Sequence, residues 1–310
     1  MQGIKLSKEF YLEYGKPMLE NEFSEYLDFL CVGLVGLGSE CFMLDDDLSQ
    51  DHDFEPGFCI FVPKALDSKV IFRLERAYAK LPKEYKGYKR SIVMPGDGAR
   101  HGVIIIEDFY KFHTGKEYGY ETINDWITYH EVPLAHATNG EIFFDNYGLF
   151  TKIRSSLVNM PKDIFLKKLS GDLIQMGLSG QYNYERCLKR NDSAAGQLAL
   201  FEFVKYAIDA IFLLNNKYKP YYKLVFRALE KLDDLANLKP MLEFLITENN
   251  KDENIINQKL YYIAEISSEI ICRLMLLDIT KAECNNLDKH GYSVNDHISD
   301  IQIRNMDFWN

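Results

Sequence analysis

Residues Gly38 to Phe54 read GSECFMLDDDLSQDHDF, with six acids (Glu40, Asp45, Asp46, Asp47, Asp51 and Asp53) in seventeen positions. Carboxylates this crowded repel one another unless a cation joins them. Read as the start of a strand, Asp51 to Phe54 puts Asp51 and Asp53 on one face, their Cα atoms roughly 6.5–7 Å apart, and turns His52 to the other. Two carboxylates so placed converge on one or two divalent ions. A hard cation such as Mg²⁺ takes carboxylate oxygens and keeps positions open for phosphate oxygens. Two such ions about 3.5–4 Å apart clamp the attacking and leaving oxygens of a phosphoryl displacement. Asp45, Asp46 and Asp47 read most simply as a solvated turn, and His52 as a packed or hydrogen-bonded neighbour rather than a ligand.

Immediately upstream, CVGLVGLGS (Cys31 to Ser39) is a short apolar strand ending in Gly38-Ser39. Glycine lets a backbone approach a phosphate closely, and a serine hydroxyl with neighbouring N–H groups donates to its oxygens. A strand, a Gly-Ser turn, a spacer and Asp-x-Asp on the next strand together lay out a compact site for nucleotidyl transfer. Rival motifs fail. GLVGLGSEC puts Cys41 where a dinucleotide fingerprint needs its third glycine. TGKE (Thr114 to Glu117) lacks the hydroxyl residue and the upstream glycine of a Walker loop.

Outward from this stretch, the first half alternates strand and helix signals. Ser7 reads as the cap of a short helix. Leu19, Phe23, Tyr26, Leu27 and Leu30 fall at helical spacing in Pro17 to Leu30. HDFEPGFCIFVP (His52 to Pro63) reads as a second strand with a Pro-Gly kink, and DSKVIFRLERAYAKL as an amphipathic helix capped by Asp67 or Ser68. HGVIIIEDF (His101 to Phe109) is the clearest central strand. TINDWITYH reads as helix and GEIFFDNYG (Gly140 to Gly148) as strand. From Pro161 onward helical periods dominate. The stripe Leu198, Phe201, Val204, Ile208, Ile211 and Phe212 is expected to be bundle core, capped by Ser193 and ended near Asn215 and Tyr218. The fold class is therefore α+β, a mixed-sheet domain over residues 1–155 followed by a helical bundle over 156–310.

The chain has 310 residues, 47% hydrophobic and 26% charged, with a formal charge of −10. That is globular composition, and a charge that disfavours wholesale binding of a nucleic acid. A local basic cluster remains: YERCLKR spaces Arg186, Lys189 and Arg190 by three and four, so they share a helix face. The cluster is a clamp for a triphosphate or an ordinary solvated helix end. Arg100 and Lys223 are further candidates for such a clamp that read first as surface residues, and Tyr182 and Tyr184 read as core packing before base stacking. Six scattered cysteines and no apolar leader point to reduced thiols in a cytoplasmic protein. No apolar run is long enough to span a membrane.

The Gly38-Ser39 turn followed by Asp51-His52-Asp53-Phe54 resembles the nucleotidyltransferase superfamily whose fold is shared with DNA polymerase beta and kanamycin nucleotidyltransferase. More closely, Gly33 to Phe54 is similar to the bacterial family called domain of unknown function 4037, in which a GSE…DD.lSrDHD pattern recurs. GEIFFDNYGLFTKIR, GQYNYERCLKRND and FLLNNKYKPYYKL resemble that family's later segments. The resemblance implies a nucleotidyltransferase sheet domain followed by helices, metal ligation by Asp51 and Asp53, and phosphate binding by Gly38 and Ser39. It implies a third acid, catalytic or metal-binding, which is Asp145 on the motif match or Glu107 on the strand HGVIIIED. The expected activity is transfer of a nucleoside monophosphate from an NTP, ATP in the first instance, to a hydroxyl acceptor. Mg²⁺ or Mn²⁺ is the expected metal, pyrophosphate the by-product, and a small molecule or a protein the acceptor. The alternative is a non-catalytic nucleotide-binding or antitoxin-like interaction module on the same fold.

Overall fold

The computed structural model describes residues 2–46, 54–90 and 100–308. The expectations that rest on Asp51, His52 and Asp53 lie outside the described residues. The chain divides into two compact units, Met1–Asp125 with Tyr129–Asn159, and Trp126–Thr128 with Met160–Asn310.

The first unit is built on a mixed sheet of β1 (Cys31–Leu34), β2 (Cys59–Val62), β5 (Gly102–Ile105) and β6 (Glu141–Asp145), in the order β5-β2-β1-β6. A separate two-residue hairpin pairs β3 (Glu84–Tyr85) with β4 (Tyr88–Lys89). β1 runs antiparallel to β2 and β6, and β2 parallel to β5. Strand residues alternate between faces. Val32, Ile60 and Val62 join a core with Leu6, Phe10, Leu19, Val70 and Leu74, which lie on or near the helices Gly3–Phe10, Lys16–Glu22 and Ser68–Lys80. Phe61 meets Phe109 and Phe150, with ring centroids 5.3 and 4.3 Å away. The Tyr110 hydroxyl donates to the Phe150 carbonyl at 2.9 Å. Helices on both faces leave β1 and β2 wholly buried, which is why they read as continuous apolar runs.

Several sequence expectations are corrected. Ser7 sits inside the Gly3–Phe10 helix, which it does not cap. Extended pairing has not begun at Phe54, since β2 starts at Cys59. The HGVIIIEDF strand stops at Ile105, and Ile106–Thr114 is helix. Pro63, which has no N–H to continue the ladder, follows the last paired residues, Val62 and Ile105. Beyond them Phe109, Tyr110 and His113 bury at helical spacing, and Glu107 and Asp108 suit a helix N-terminus. Asp67 caps the next helix as expected, accepting from the Lys69 N–H at 2.8 Å.

The described residues of the second unit contain helices and no strand. Asp192, one residue before the expected Ser193, caps the Ser193–Leu214 helix by accepting from the Ala195 N–H. Val204, Ile208, Ile211 and Phe212 of the expected stripe are buried, together with Leu200, Phe203 and Ala207, while its first two members, Leu198 and Phe201, are 66% and 46% exposed. Asn215 closes that helix, its amide donating to the carbonyls of Ile211 and Asp234 at 2.8 and 3.0 Å. Among the described residues no helix is long and apolar enough to cross a membrane.

Lys259 lies at 0% exposure in this unit. Its ammonium donates to Gln197 Oε1, the Glu248 carbonyl and Asn250 Oδ1 at 3.1, 2.6 and 2.8 Å. Burial draws its pKa down to about 8. Above that pH the unfolded chain holds a proton that the folded chain has lost, so the cost of burying the charge is relieved as pH rises. Against a Lys259→Met variant, the wild type is expected to gain about 2 kcal/mol between roughly pH 8 and 10. Denaturant titrations across that range read it; parallel pH profiles for the two proteins would contradict it.

Candidate functional site

One end of the sheet gathers the end of β1 and the starts of the other three strands. Gly33 pairs with Cys59, Cys59 with Gly102, and Leu34 with Glu141. The chain leaves β1 through two left-handed glycines, Gly36 at φ +113° and Gly38 at φ +115°. Asn139 braces this turn from both sides: the Gly36 N–H donates to its Oδ1 and its Nδ2 donates to the Gly36 carbonyl, each at 2.8 Å. The Ser39 carbonyl accepts from the N–H groups of Phe42 and Leu44 at 3.1 and 2.9 Å. Among the described residues nothing accepts from the N–H groups of Gly38 and Ser39 or from the Ser39 hydroxyl. Its neighbours thus brace the turn, and no described residue takes its own donors, as an anion cradle requires.

Two pairs stand beside it. Glu40 Oε1 accepts from Arg100 Nη2 at 3.0 Å, and the same nitrogen lies 3.4 Å from the Leu37 carbonyl. Glu40 is 8% exposed; burial raises its pKa, and the Arg100 guanidinium acts against that rise. His101, also buried, places Nδ1 3.1 Å from Glu55 Oε1. Gly57 lies so close to that ring that a Cβ there would come within 2.6 Å of it. Arg100, expected at the surface, and Glu40, Glu55 and His101, to which the sequence reading gives no site role, therefore belong to this end of the sheet. Sequence signals for two of them existed. Glu55 continues the period-two series Asp51, Asp53, and His101 directly precedes β5.

The expected site residues scatter. Gly38 and Ser39 form the turn itself, and Asp51 and Asp53 lie outside the described residues. Asp145 and Glu107 are both at the opposite end of the sheet, the first level with the start of β1 and the second beyond the end of β5. β1 alone sets the two ends roughly 10 Å apart. Asp145 pairs with Cys31, accepts from the N–H groups of Gly148 and Thr151 at 2.8 and 3.1 Å, and also accepts from the Thr151 hydroxyl. It ties the start of the Leu149–Val158 helix. Glu107, on a helix rather than a strand, is buried and accepts from the Lys64 N–H at 2.9 Å. The structure does not bring either acid to the Gly38-Ser39 turn.

In the second unit, Arg186, Lys189 and Arg190 line one surface concavity of about 460 Å³ with Gln181, Tyr182 and Glu185. The Arg186 guanidinium sits 4.8 Å over the exposed Tyr182 ring, and Lys189 pairs with Glu185 at 3.2 Å. Tyr184 is core, its hydroxyl on Asn250 Oδ1 at 3.1 Å. Lys223 is an exposed residue of the Tyr222–Leu229 helix. Among the described residues no three His, Cys, Asp or Glu side chains are grouped to hold a metal.

Residues 126–225 match the family described as domain of unknown function (DUF4037), the family that the sequence motifs resemble. The three later segments that carry that resemblance lie entirely inside the match, whereas Gly38 to Phe54 lies before it. Among solved structures, a nucleotidyltransferase-like protein from Exiguobacterium sibiricum is 10% identical, over 91% of this chain and 90% of that one, at a TM-score of 0.35. None of the curated proteins matches the chain.

Proposed function

We propose that this protein is a nucleotidyltransferase that moves a nucleoside monophosphate from an NTP, with ATP as the first candidate, to a hydroxyl acceptor and releases pyrophosphate. The observation that carries the reading is the Gly38-Ser39 turn. It leaves β1 at the sheet end where β2 begins, and its donors are not used by any described residue. The Asp-x-Asp pair closes eight and six residues before Cys59, the first residue of β2. In this proposal Gly38 and Ser39 bind phosphate oxygens, and Asp51 and Asp53 supply the hard oxygen ligands that suit Mg²⁺ or Mn²⁺. A bound metal would neutralise charge on the phosphates; the acceptor oxygen bonds to the α-phosphorus, its proton passes to solvent, and the bond to the pyrophosphate oxygen breaks. Arg186, Lys189 and Arg190 are proposed as further phosphate-binding residues, because their concavity gathers three cations in an acidic chain. Asp145 and Glu107 keep the bracing roles their hydrogen bonds define.

The test is incubation of the purified protein with labelled NTPs, Mg²⁺ and a cell extract as the source of acceptor. Pyrophosphate release with label on one acceptor class is expected. Nucleotide binding with no pyrophosphate release from any extract would instead support the non-catalytic binding or antitoxin-like module and end the transferase reading.

A further inference from the structure

Gly38 has two reasons to be glycine. Its φ of +115° is one. The other is Arg100: a Cβ on Gly38 would lie 2.0 Å from Arg100 Nη2 and 2.3 Å from Glu40 Oε1. The guanidinium therefore rests directly on the Gly-Ser turn. It is held there from several sides. Glu40 and the Leu37 carbonyl take Nη2. Behind it, the Arg100 carbonyl accepts from Cys59 Sγ at 3.2 Å, and the Gly102 N–H donates to the Phe58 carbonyl at 2.9 Å. The side chain thus ties the start of β5 to the turn after β1, and the main chain ties it to the start of β2. The side chain keeps 26% of its surface exposed, so a solute that reaches the turn also reaches the cation.

We infer that Arg100 is the residue that selects a polyphosphate at the Gly38-Ser39 turn, and that Glu40 is the positioning residue that holds it there. The inference deepens the proposed function and rests on it, since it names how that site distinguishes a nucleoside triphosphate from a monophosphate. An anion hydrogen-bonded to the N–H groups of Gly38 and Ser39 lies beside a guanidinium already in van der Waals contact with Gly38. Arginine presents several N–H donors in a plane, so one edge can be fixed by a carboxylate while another bonds phosphate. Each added phosphate raises the negative charge that this cation meets, so its contribution grows from monophosphate to triphosphate. A buried carboxylate partner fixes the guanidinium in advance and removes the ordering cost that a free arginine would bear on binding.

Calorimetry with three probes tests this: ATP with Mg²⁺, AMP, and inorganic tripolyphosphate without a nucleoside. The proteins are wild type, Arg100→Lys, Arg100→Ala, Glu40→Gln and Ser39→Ala, each checked for a wild-type unfolding transition. Arg100→Lys keeps the charge and serves if Arg100→Ala does not fold. Arg100→Ala is expected to weaken ATP and tripolyphosphate by about ten- to a hundredfold and AMP by far less. Arg100→Lys is expected to weaken ATP and tripolyphosphate by less than Arg100→Ala. Glu40→Gln keeps the accepting oxygen without its charge and is expected to narrow the ATP-to-AMP ratio severalfold, a readout that loss of stability alone would not move. If Ser39→Ala weakens ATP while the Arg100 variants match wild type, the role of Arg100 is refuted and the nucleotide reading stands. If wild type binds neither ATP nor tripolyphosphate, both fall together.

Discussion

Replacing Asp51 and Asp53 together by asparagine is expected to abolish NTP turnover, a loss of at least about a thousandfold, with little change in thermal unfolding. Asparagine keeps the size and shape of aspartate and removes only the charge, so the folded chain has no new volume to accommodate. Two acids fewer in a stretch that also holds Glu40 and Asp45 to Asp47 lessens like-charge repulsion. Stability is therefore expected to hold or rise slightly. The sharper readout is linkage. A ligand that binds only the folded state raises its unfolding temperature with concentration, so Mg²⁺ with an NTP is expected to stabilise wild type and to leave the double variant unmoved. Pyrophosphate release is the primary measurement. Undiminished release by the double variant would remove the two acids from the mechanism and leave the transfer itself to other residues.

The strands were legible because their side chains report the environment directly. CVGL and CIFV are buried on both faces and show it as unbroken apolar runs. Where local and tertiary preferences compete, the sequence misleads. IIIED looks like strand, yet Ile106 opens a helix because Phe109, Tyr110 and His113 find their burial at helical spacing once β2 has ended at Val62, before Pro63. The stripe from Val204 to Phe212 is core as its period suggests, but its extension back to Leu198 and Phe201 is exposed, since period alone does not say how far along a helix its neighbours reach. Asp145 illustrates a different failure. A motif match marks it as an acid worth noticing, while its spacing to Gly148 and Thr151 already describes a turn-and-helix start. The Arg100–Glu40 pair was beyond reach for a simpler reason. Sixty positions separate the partners, and only the folding of β5 beside β2, and of β2 beside β1, brings them together.

The Gly140→Ala variant joins that architecture to the site, and Gly148→Ala is its control. Both glycines have positive φ, +70° and +74°. An alanine at either pays the left-handed strain of about 1–2 kcal/mol. They differ in what surrounds them. A Cβ at Gly148 meets nothing within 4 Å, whereas one at Gly140 would lie 2.0 Å from the Leu34 carbonyl oxygen and 2.9 Å from Val35 Cα. These are backbone atoms at the end of β1, and no rotamer can move them aside. Gly140 also donates to the Cys41 carbonyl at 2.8 Å, its own carbonyl accepts from Arg154 at 3.1 Å, and Asn139 beside it braces the Gly36 turn. Gly148→Ala is therefore expected to cost about 1 kcal/mol. Gly140→Ala is expected to cost more than about 4 kcal/mol, through separation of β6 from β1. Where Gly140→Ala still folds, it is expected to bind ATP and tripolyphosphate more weakly than Gly148→Ala, because displacing Leu34 and Val35 moves the turn that carries Gly38 and Ser39. Denaturant titrations of the two variants decide the first claim, and calorimetry of the folded proteins the second. Equal losses of stability would mean that the Leu34 carbonyl does not stand against Gly140, and with it the pairing that sets the glycine-serine turn at this end of the sheet would be lost.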